Sequence, residues 1–215
     1  VNSQQKAKIE LDRMKAGFRR FQEKYYQNGR KLSLSSGQSP KTLIIACSDS
    51  RVDPAILADA NPGEIFVVRN VANLVPPFES SQGFHGVSAA IEFAVVNLEV
   101  DLVVILGHRQ CGGIRSLFEP KVVIKDGFVT QWMKIAAGAK QSILQSMPGA
   151  DLDSMCRACE QESIFASLDN LGTFPFVKDA KDERGMRTLG LYFDLEAGTL
   201  LEMDETTRKA TPVSL

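Results

Sequence analysis

Two short runs, Thr42-Leu43-Ile44-Ile45-Ala46 and Leu102-Val103-Val104-Ile105-Leu106, are apolar at nearly every position. Such runs read as parallel strands buried on both faces. Ahead of them, Ile9, Met14, Phe18, Phe21 and Tyr25 recur at helical spacing between Lys, Arg and Glu residues. This predicts an amphipathic helix from about residue 3 to 27, ended at Asn28-Gly29. Ser35 to Pro40 is a loop by composition. After the first strand, Asp53-Pro54 opens a short helix through Leu57 and Ala58, with proline in its first turn. Asn61-Pro62-Gly63 then turns the chain into a second strand, Ile65-Phe66-Val67-Val68. That strand leads into the polar segment Arg69 to Asn73, where the plain reading of Arg69 and Asn70 is loop hydrogen bonding.

Pro76-Pro77 breaks the chain before an apolar helix over Gly86 to Leu98. The helix after the Leu102 strand passes through Ile114 and Leu117, and residues 131 to 146 and 152 to 171 read as two more. Leu189 to Leu195 and Thr199 to Met203 join across Gly198 as a closing hairpin at one sheet edge. The tail from Thr206 is expected to be loose. The pattern as a whole is α/β: a mainly parallel sheet with an antiparallel edge hairpin, flanked by helices and preceded by a long amino-terminal helix. It divides into a helical arm (1–36), a metal-binding α/β domain (37–205) and the tail (206–215). The arm either covers its own sheet or lies on another subunit, and its own pattern favours the first.

Composition narrows the partners. A net charge of −1 over 215 residues offers no basic field to recruit nucleic acid or an anionic membrane. The partner is then a small molecule or another copy of the chain. No stretch reaches the roughly 18 uninterrupted apolar residues of a membrane span, and the charged start at Lys6, Lys8 and Glu10 is not followed by a secretory hydrophobic segment. The chain is expected in the cytoplasm. Numbering begins at Val1, and a removed targeting peptide would leave no trace. Four cysteines in a chain of this class suggest metal binding or free thiols more than a disulfide framework.

The chemistry gathers directly after the two strands, in Cys47-Ser48-Asp49-Ser50-Arg51 and Gly107-His108-Arg109-Gln110-Cys111-Gly112-Gly113. Strand ends in an open parallel sheet share one crevice, so these stretches can converge across about sixty positions. Zinc favours thiolate and imidazole ligands in tetrahedral geometry, and Cys47, His108 and Cys111 supply three of them. Cys111 lies ahead of a helix whose dipole and free amides favour its thiolate, and Gly112 with Gly113 would let those amides approach an anionic ligand. Asp49 can take the fourth metal position itself, or be held by Arg51 as a bidentate pair that leaves room for water. Two thiolates and a neutral imidazole cancel the zinc charge, so a bound water would be less acidified than at an all-histidine site, and activity is expected to grow toward alkaline pH. Two further motifs stand aside. His85 suits a proton relay or a helix cap or surface role, and Cys156-x-x-Cys159 lies within a predicted helix, where buried apolar thiols are the default.

Ala46-Cys47-Ser48-Asp49-Ser50-Arg51-Val52, Pro62-Gly63-Glu64 with Phe66 to Asn73, and Gly107-His108 with Cys111-Gly112-Gly113 together resemble the β-class carbonic anhydrases. The resemblance runs from about Gly37 to Leu200. It implies a zinc lyase, carbonate dehydratase, with one zinc per chain on Cys47, His108 and Cys111. The implied reaction is reversible hydration of carbon dioxide to bicarbonate and a proton by zinc-bound hydroxide, oriented by an Asp49–Arg51 dyad. In the family's closed form Asp49 becomes the fourth ligand.

Gly37-Gln38-Ser39-Pro40-Lys41 is similar to the plant-like branch, whose matching glutamine points its amide at substrate across a dimer interface. Phe66, Val71 and Phe93 fall at that branch's apolar pocket positions, with Phe93 where its best-known members carry Tyr; Gly112 completes the implied substrate-binding set. The allosteric branch builds a bicarbonate pocket from Trp, Arg and Tyr. Here those positions read Ile44, Arg69 and Phe193, so no such site is expected. The resemblance also implies a homo-oligomer, dimer or tetramer, in which the amino-terminal helix embraces its neighbour. Carbon disulfide hydrolases share the same fold and ligands, and a non-catalytic zinc module is the alternative of another class, against which Asp49 and Arg51 speak.

Overall fold

A computed structural model describes residues 2–27, 34–80, 83–120 and 127–214. The chain forms two compact units, Val1–Gln38 and Ser39–Leu215. In the first, α1 (Ser3–Gln22) opens on a capping box: the Asn2 side chain accepts from the Gln5 amide at 2.8 Å while the Asn2 amide donates back to Gln5 Oε1 at 2.9 Å. A wider, π-type turn, Glu23–Gln27, continues it, as the helical spacing of its aromatics predicts. The expected stop at Asn28-Gly29 lies outside the described residues. Not one residue of α1 is buried, and Ile9, Met14 and Phe18 present apolar surface along its length.

The second unit is built on a sheet of order β2-β1-β3-β4-β5-β6. β1 (Thr42–Cys47) lies between β2 (Ile65–Asn70) and β3 (Leu102–His108), parallel to both, and β3 pairs in parallel with β4 (Arg187–Asp194). The chain steps from β1 to β2 on one side and returns to β3 on the other, which leaves the switch point between the ends of β1 and β3. The strands run one or two residues past their apolar cores, so Cys47 and His108 are the last residues of β1 and β3 rather than the first of the following loops. Ladder hydrogen bonding carries them there, with Cys47 opposite Asn70 and His108 opposite Phe193.

Alternation along β1 and β3 sends Leu43, Ile45, Val103 and Ile105 to one face, against α3 (Gly86–Glu92), α7 (Leu152–Leu171) and α8 (Pro175–Arg184). Ile164 of α7 sits so close to β3 and β4 that a Cβ on Gly107 or Gly190 would approach it to 2.7 and 2.8 Å. Ile44, Ala46, Val104 and Leu106 face the other way. The remaining helices are α2 (Pro54–Leu57), α4 (Gly112–Phe118), α5 (Phe128–Trp132) and α6 (Ala137–Ser146). Proline at the first position of α2 and the Asp53 cap bear out the reading there. The helix expected over Gly86 to Leu98 is α3 followed by a π-type turn, Phe93–Asn97.

One expectation is corrected. The tail from Thr206 is not loose, because Lys209–Pro212 forms β6, antiparallel to β5 (Thr199–Asp204). The expected closing hairpin is β4 with β5, on the antiparallel side of the sheet, and β6 extends it to a three-strand run β4-β5-β6. An open row of amides and carbonyls on β5 is a pairing surface that the tail satisfies. Helix α8, with proline in its first turn and Gly185 in the left-handed conformation at its end, was not anticipated.

Candidate metal centre

The ends of β1 and β3 bring Cys47, His108 and Cys111 together, with one ligand atom from each within 4.8 Å of the others. All three side chains are buried. The His108 Nδ1 faces the carbonyl of Arg109 at 2.8 Å. A carbonyl only accepts, so Nδ1 carries the proton and Nε2 presents its lone pair. That Nε2 is buried and has no hydrogen-bond partner among the described residues. A buried lone pair beside two thiols, with no donor of its own, is what a metal ligand looks like without its ion.

The thiols divide their roles. Cys47 is lowered to about 4, chiefly by the hydrogen bond from Cys111 and against the cost of burial, with His108 and the Asp49 and Ala72 backbone assisting. Cys111 is pushed up by that same bond, by burial and by the negative charge of Cys47. Burial disfavours the charged form of His108, but the neighbouring Cys47 outweighs it and raises the imidazole. Of the two thiols, Cys47 is the one whose surroundings favour the thiolate. A soft divalent cation that accepts two thiolates and an imidazole fits the donor set, and zinc is the plainest such ion.

Asp49 is not in that group. Arg51 donates from Nε to its Oδ1 at 3.0 Å and from a terminal nitrogen to its Oδ2 at 2.8 Å, and the Arg51 amide adds a third bond at 3.0 Å. The side-chain bond from Arg51 holds the Asp49 carboxyl well below the usual carboxylate range, against the opposing effect of burial. Of the two arrangements open to Asp49, this is the one that leaves the metal side free.

Arg69 does not point at the site's chemistry; it ties the loop that carries it. Its guanidinium donates to the carbonyls of Cys47 at 2.9 Å and Asp49 at 2.6 Å and to the Asp53 carboxylate at 2.8 Å. Asn70 closes the next turn with two bonds to the Leu74 backbone. Both residues thus do the hydrogen bonding their positions suggest.

Phe66 and Phe93 lie with ring centroids 5.8 Å apart, and Phe93 and Val71 are partly open to solvent. The two glycines after Cys111 differ. A Cβ on Gly113 would come within 2.8 Å of Val71 and 3.0 Å of Ala72, so close packing accounts for it. A Cβ on Gly112 would meet nothing within 4 Å, so packing does not account for this glycine. Gln38 is exposed and is the last residue of the first unit. His85 occupies the cap position of α3 without a side-chain capping bond, and borders an apolar cavity of about 650 Å³ with Val71, Phe84 and Trp132. Cys156 and Cys159 are buried free thiols on α7; burial raises both, Cys159 to about 12. Ile44 and Phe193 line a second, apolar cavity of about 390 Å³ on the other sheet face.

Sequence reasoning missed what stands behind Cys111. Glu160 of α7 accepts the Cys111 amide at 2.9 Å and the Tyr192 hydroxyl at 2.8 Å, and Arg109 is buried beside it with a further contact to Asp153. One signal was available: Glu160 falls on the same helical stripe as Cys156, Ser163, Ile164 and Ser167, where a charge has no place unless something pairs it.

Residues 42–200 match the family described as carbonic anhydrase. Beta carbonic anhydrase 3 of Arabidopsis thaliana is 35% identical over 211 residues, spanning 95% of this chain and 81% of that protein. Among solved structures, the β-carbonic anhydrase CcaA is 30% identical with a TM-score of 0.86, covering 96% of this chain and 93% of its own. Tetrameric β-carbonic anhydrases from Sordaria macrospora are 26% identical with a TM-score of 0.76, covering 98% of this chain and 100% of theirs.

Proposed function

Since the chain belongs to the β-class carbonic anhydrases, we propose that it hydrates carbon dioxide reversibly to bicarbonate with one zinc ion held by Cys47, His108 and Cys111. The observation that carries the zinc assignment is the buried Nε2 of His108, without a hydrogen-bond partner among the described residues, beside two thiols. When bound, zinc would supply the Lewis acid that activates water as the nucleophile.

The residues around it do the rest. With its charge fixed by Arg51, the Asp49 carboxylate can only accept hydrogen bonds, so it turns the attacking group's proton toward itself and its lone pair toward carbon dioxide. Release of Asp49 from Arg51 would give the closed arrangement, in which Asp49 is the fourth ligand and the reaction stops. Phe66, Val71 and Phe93 form the apolar wall for a nonpolar gas, and the Gly112 backbone amide receives an oxygen of bicarbonate. Gln38 contributes its side-chain amide to substrate at a second copy of the chain, across a dimer interface. The chain works as a homo-oligomer, and the exposed apolar face of α1 is the surface that meets a second copy.

Stopped-flow hydration of carbon dioxide, on the metal-loaded protein and after zinc removal, tests this. Activity that disappears with zinc and returns on reloading is the expected result. Zinc near one per chain with no hydration would leave a structural module instead, and undiminished activity in Asp49→Ala would remove the dyad from the mechanism.

A further inference from the structure

Glu160 is a carboxylate with almost no contact with water, its side chain 1% exposed inside the packing of α7 against β3 and β4. Taking such a group out of water costs several kcal/mol, on the order of what its best partners return, and an apolar residue would fill the same space without that cost. Stability alone therefore gives no reason for a charge here. Burial pushes the carboxyl up, and the Tyr192 hydroxyl, the Cys111 amide and Arg109 all act to keep it ionised.

Its partners converge on the metal ligands. Oε1 accepts the amide of Cys111, the residue that both supplies a thiolate and caps α4, at 2.9 Å. Oε2 accepts the Tyr192 hydroxyl from β4 at 2.8 Å, and a guanidinium nitrogen of Arg109 lies 4.0 Å away. The carbonyl of that same Arg109 holds the Nδ1 proton of His108 at 2.8 Å. Both ligands of the His108-x-x-Cys111 turn are thus tied to one buried carboxylate, Cys111 directly and His108 through Arg109. The turn needs such a brace, because Gln110 between them stands in the left-handed conformation with φ +59°.

We infer that Glu160 is a positioning residue for the metal site, holding the Cys111 thiolate and the His108 imidazole at the spacing one ion requires. The inference rests on the metal reading proposed above. Outer partners of metal ligands typically change metal affinity by about 10- to 100-fold when removed.

The test follows metal release to an excess of chelator from the zinc-loaded chain, together with the visible spectrum of the cobalt-substituted form. Glu160→Ala is expected to release zinc at least about tenfold faster and to shift the thiolate-to-cobalt absorption. Glu160→Gln keeps an acceptor for the Cys111 amide and is expected to recover most of the slow release; Tyr192→Phe, which loosens Glu160 without touching it, falls between. Release and spectrum unchanged in Glu160→Ala, with only the melting temperature lowered, would reduce Glu160 to a packing role. Should Glu160→Ala not fold, Tyr192→Phe decides: wild-type release and spectrum overturn the inference, faster release supports it. A wild-type chain that retains no zinc overturns the metal reading itself.

Discussion

Arg51 takes both carboxylate oxygens of Asp49, its Nε 3.0 Å from Oδ1 and a terminal nitrogen 2.8 Å from Oδ2. Its other terminal nitrogen reaches Gln110 Oε1 at 3.2 Å, in the turn that carries His108 and Cys111. The fork therefore joins the two strand ends as well as holding the carboxylate. Lysine has the charge but not the fork. Arg51→Lys is expected to lower kcat/KM for carbon dioxide by roughly ten- to a hundredfold, and Asp49→Ala by about a hundredfold or more. Stopped-flow hydration of the two zinc-loaded variants checks this; wild-type rates in Arg51→Lys would show that charge alone suffices.

The same pair sets a pH dependence of stability. Asp49 is held below its unfolded pKa, first by the side-chain bond from Arg51. Its contribution is complete above about pH 4, where the unfolded carboxyl is ionised, and is lost as pH falls further toward the folded value. In the metal-free protein, the difference in urea midpoint between wild type and Asp49→Asn should be flat from about pH 7 to 5 and shrink below about pH 4. A difference that already shrinks between about pH 7 and 5 would contradict the depressed carboxyl.

Metal removal should expose one thiol before the others. Cys47 is lowered to about 4 by its bond from Cys111, whereas Cys159 is pushed up to about 12 by burial. Thiolates, not thiols, react with alkylating agents. Brief treatment of the stripped, folded protein near neutral pH, read by mass spectrometry, is expected to label Cys47 first and to leave Cys156 and Cys159 unmodified; zinc should protect Cys47. Labelling of Cys159 before Cys47 would reverse the assignment.

Bicarbonate should not switch the enzyme off cooperatively. Ile44 and Phe193 make the far side of the sheet apolar, and the Arg69 guanidinium is committed to Cys47, Asp49 and Asp53. Among the described residues that line the cavity at that face, none is a cation. Activity titrated with bicarbonate near neutral pH is expected to fall gradually, as product inhibition does, and an abrupt sigmoidal loss would show that a second anion site exists.

Much of this protein is written locally. Branched apolar runs specify β1 and β3, because a strand buried on both faces needs nothing polar, and Cys47, His108 and Cys111 follow from their places at those strand ends. The switch point then follows from strand order. What the tertiary structure decided depends on partners far apart in the chain. Strand β6, with Lys209, Thr211 and Pro212, has no strand pattern of its own and exists because β5 offers an unpaired edge. Glu160 looks like any helical glutamate until Cys111, 49 positions earlier, and Tyr192, 32 positions later, are placed on its two oxygens. Asp49 could face the metal or Arg51 on sequence alone; in the structure both its oxygens are on Arg51, a choice that only three-dimensional geometry makes.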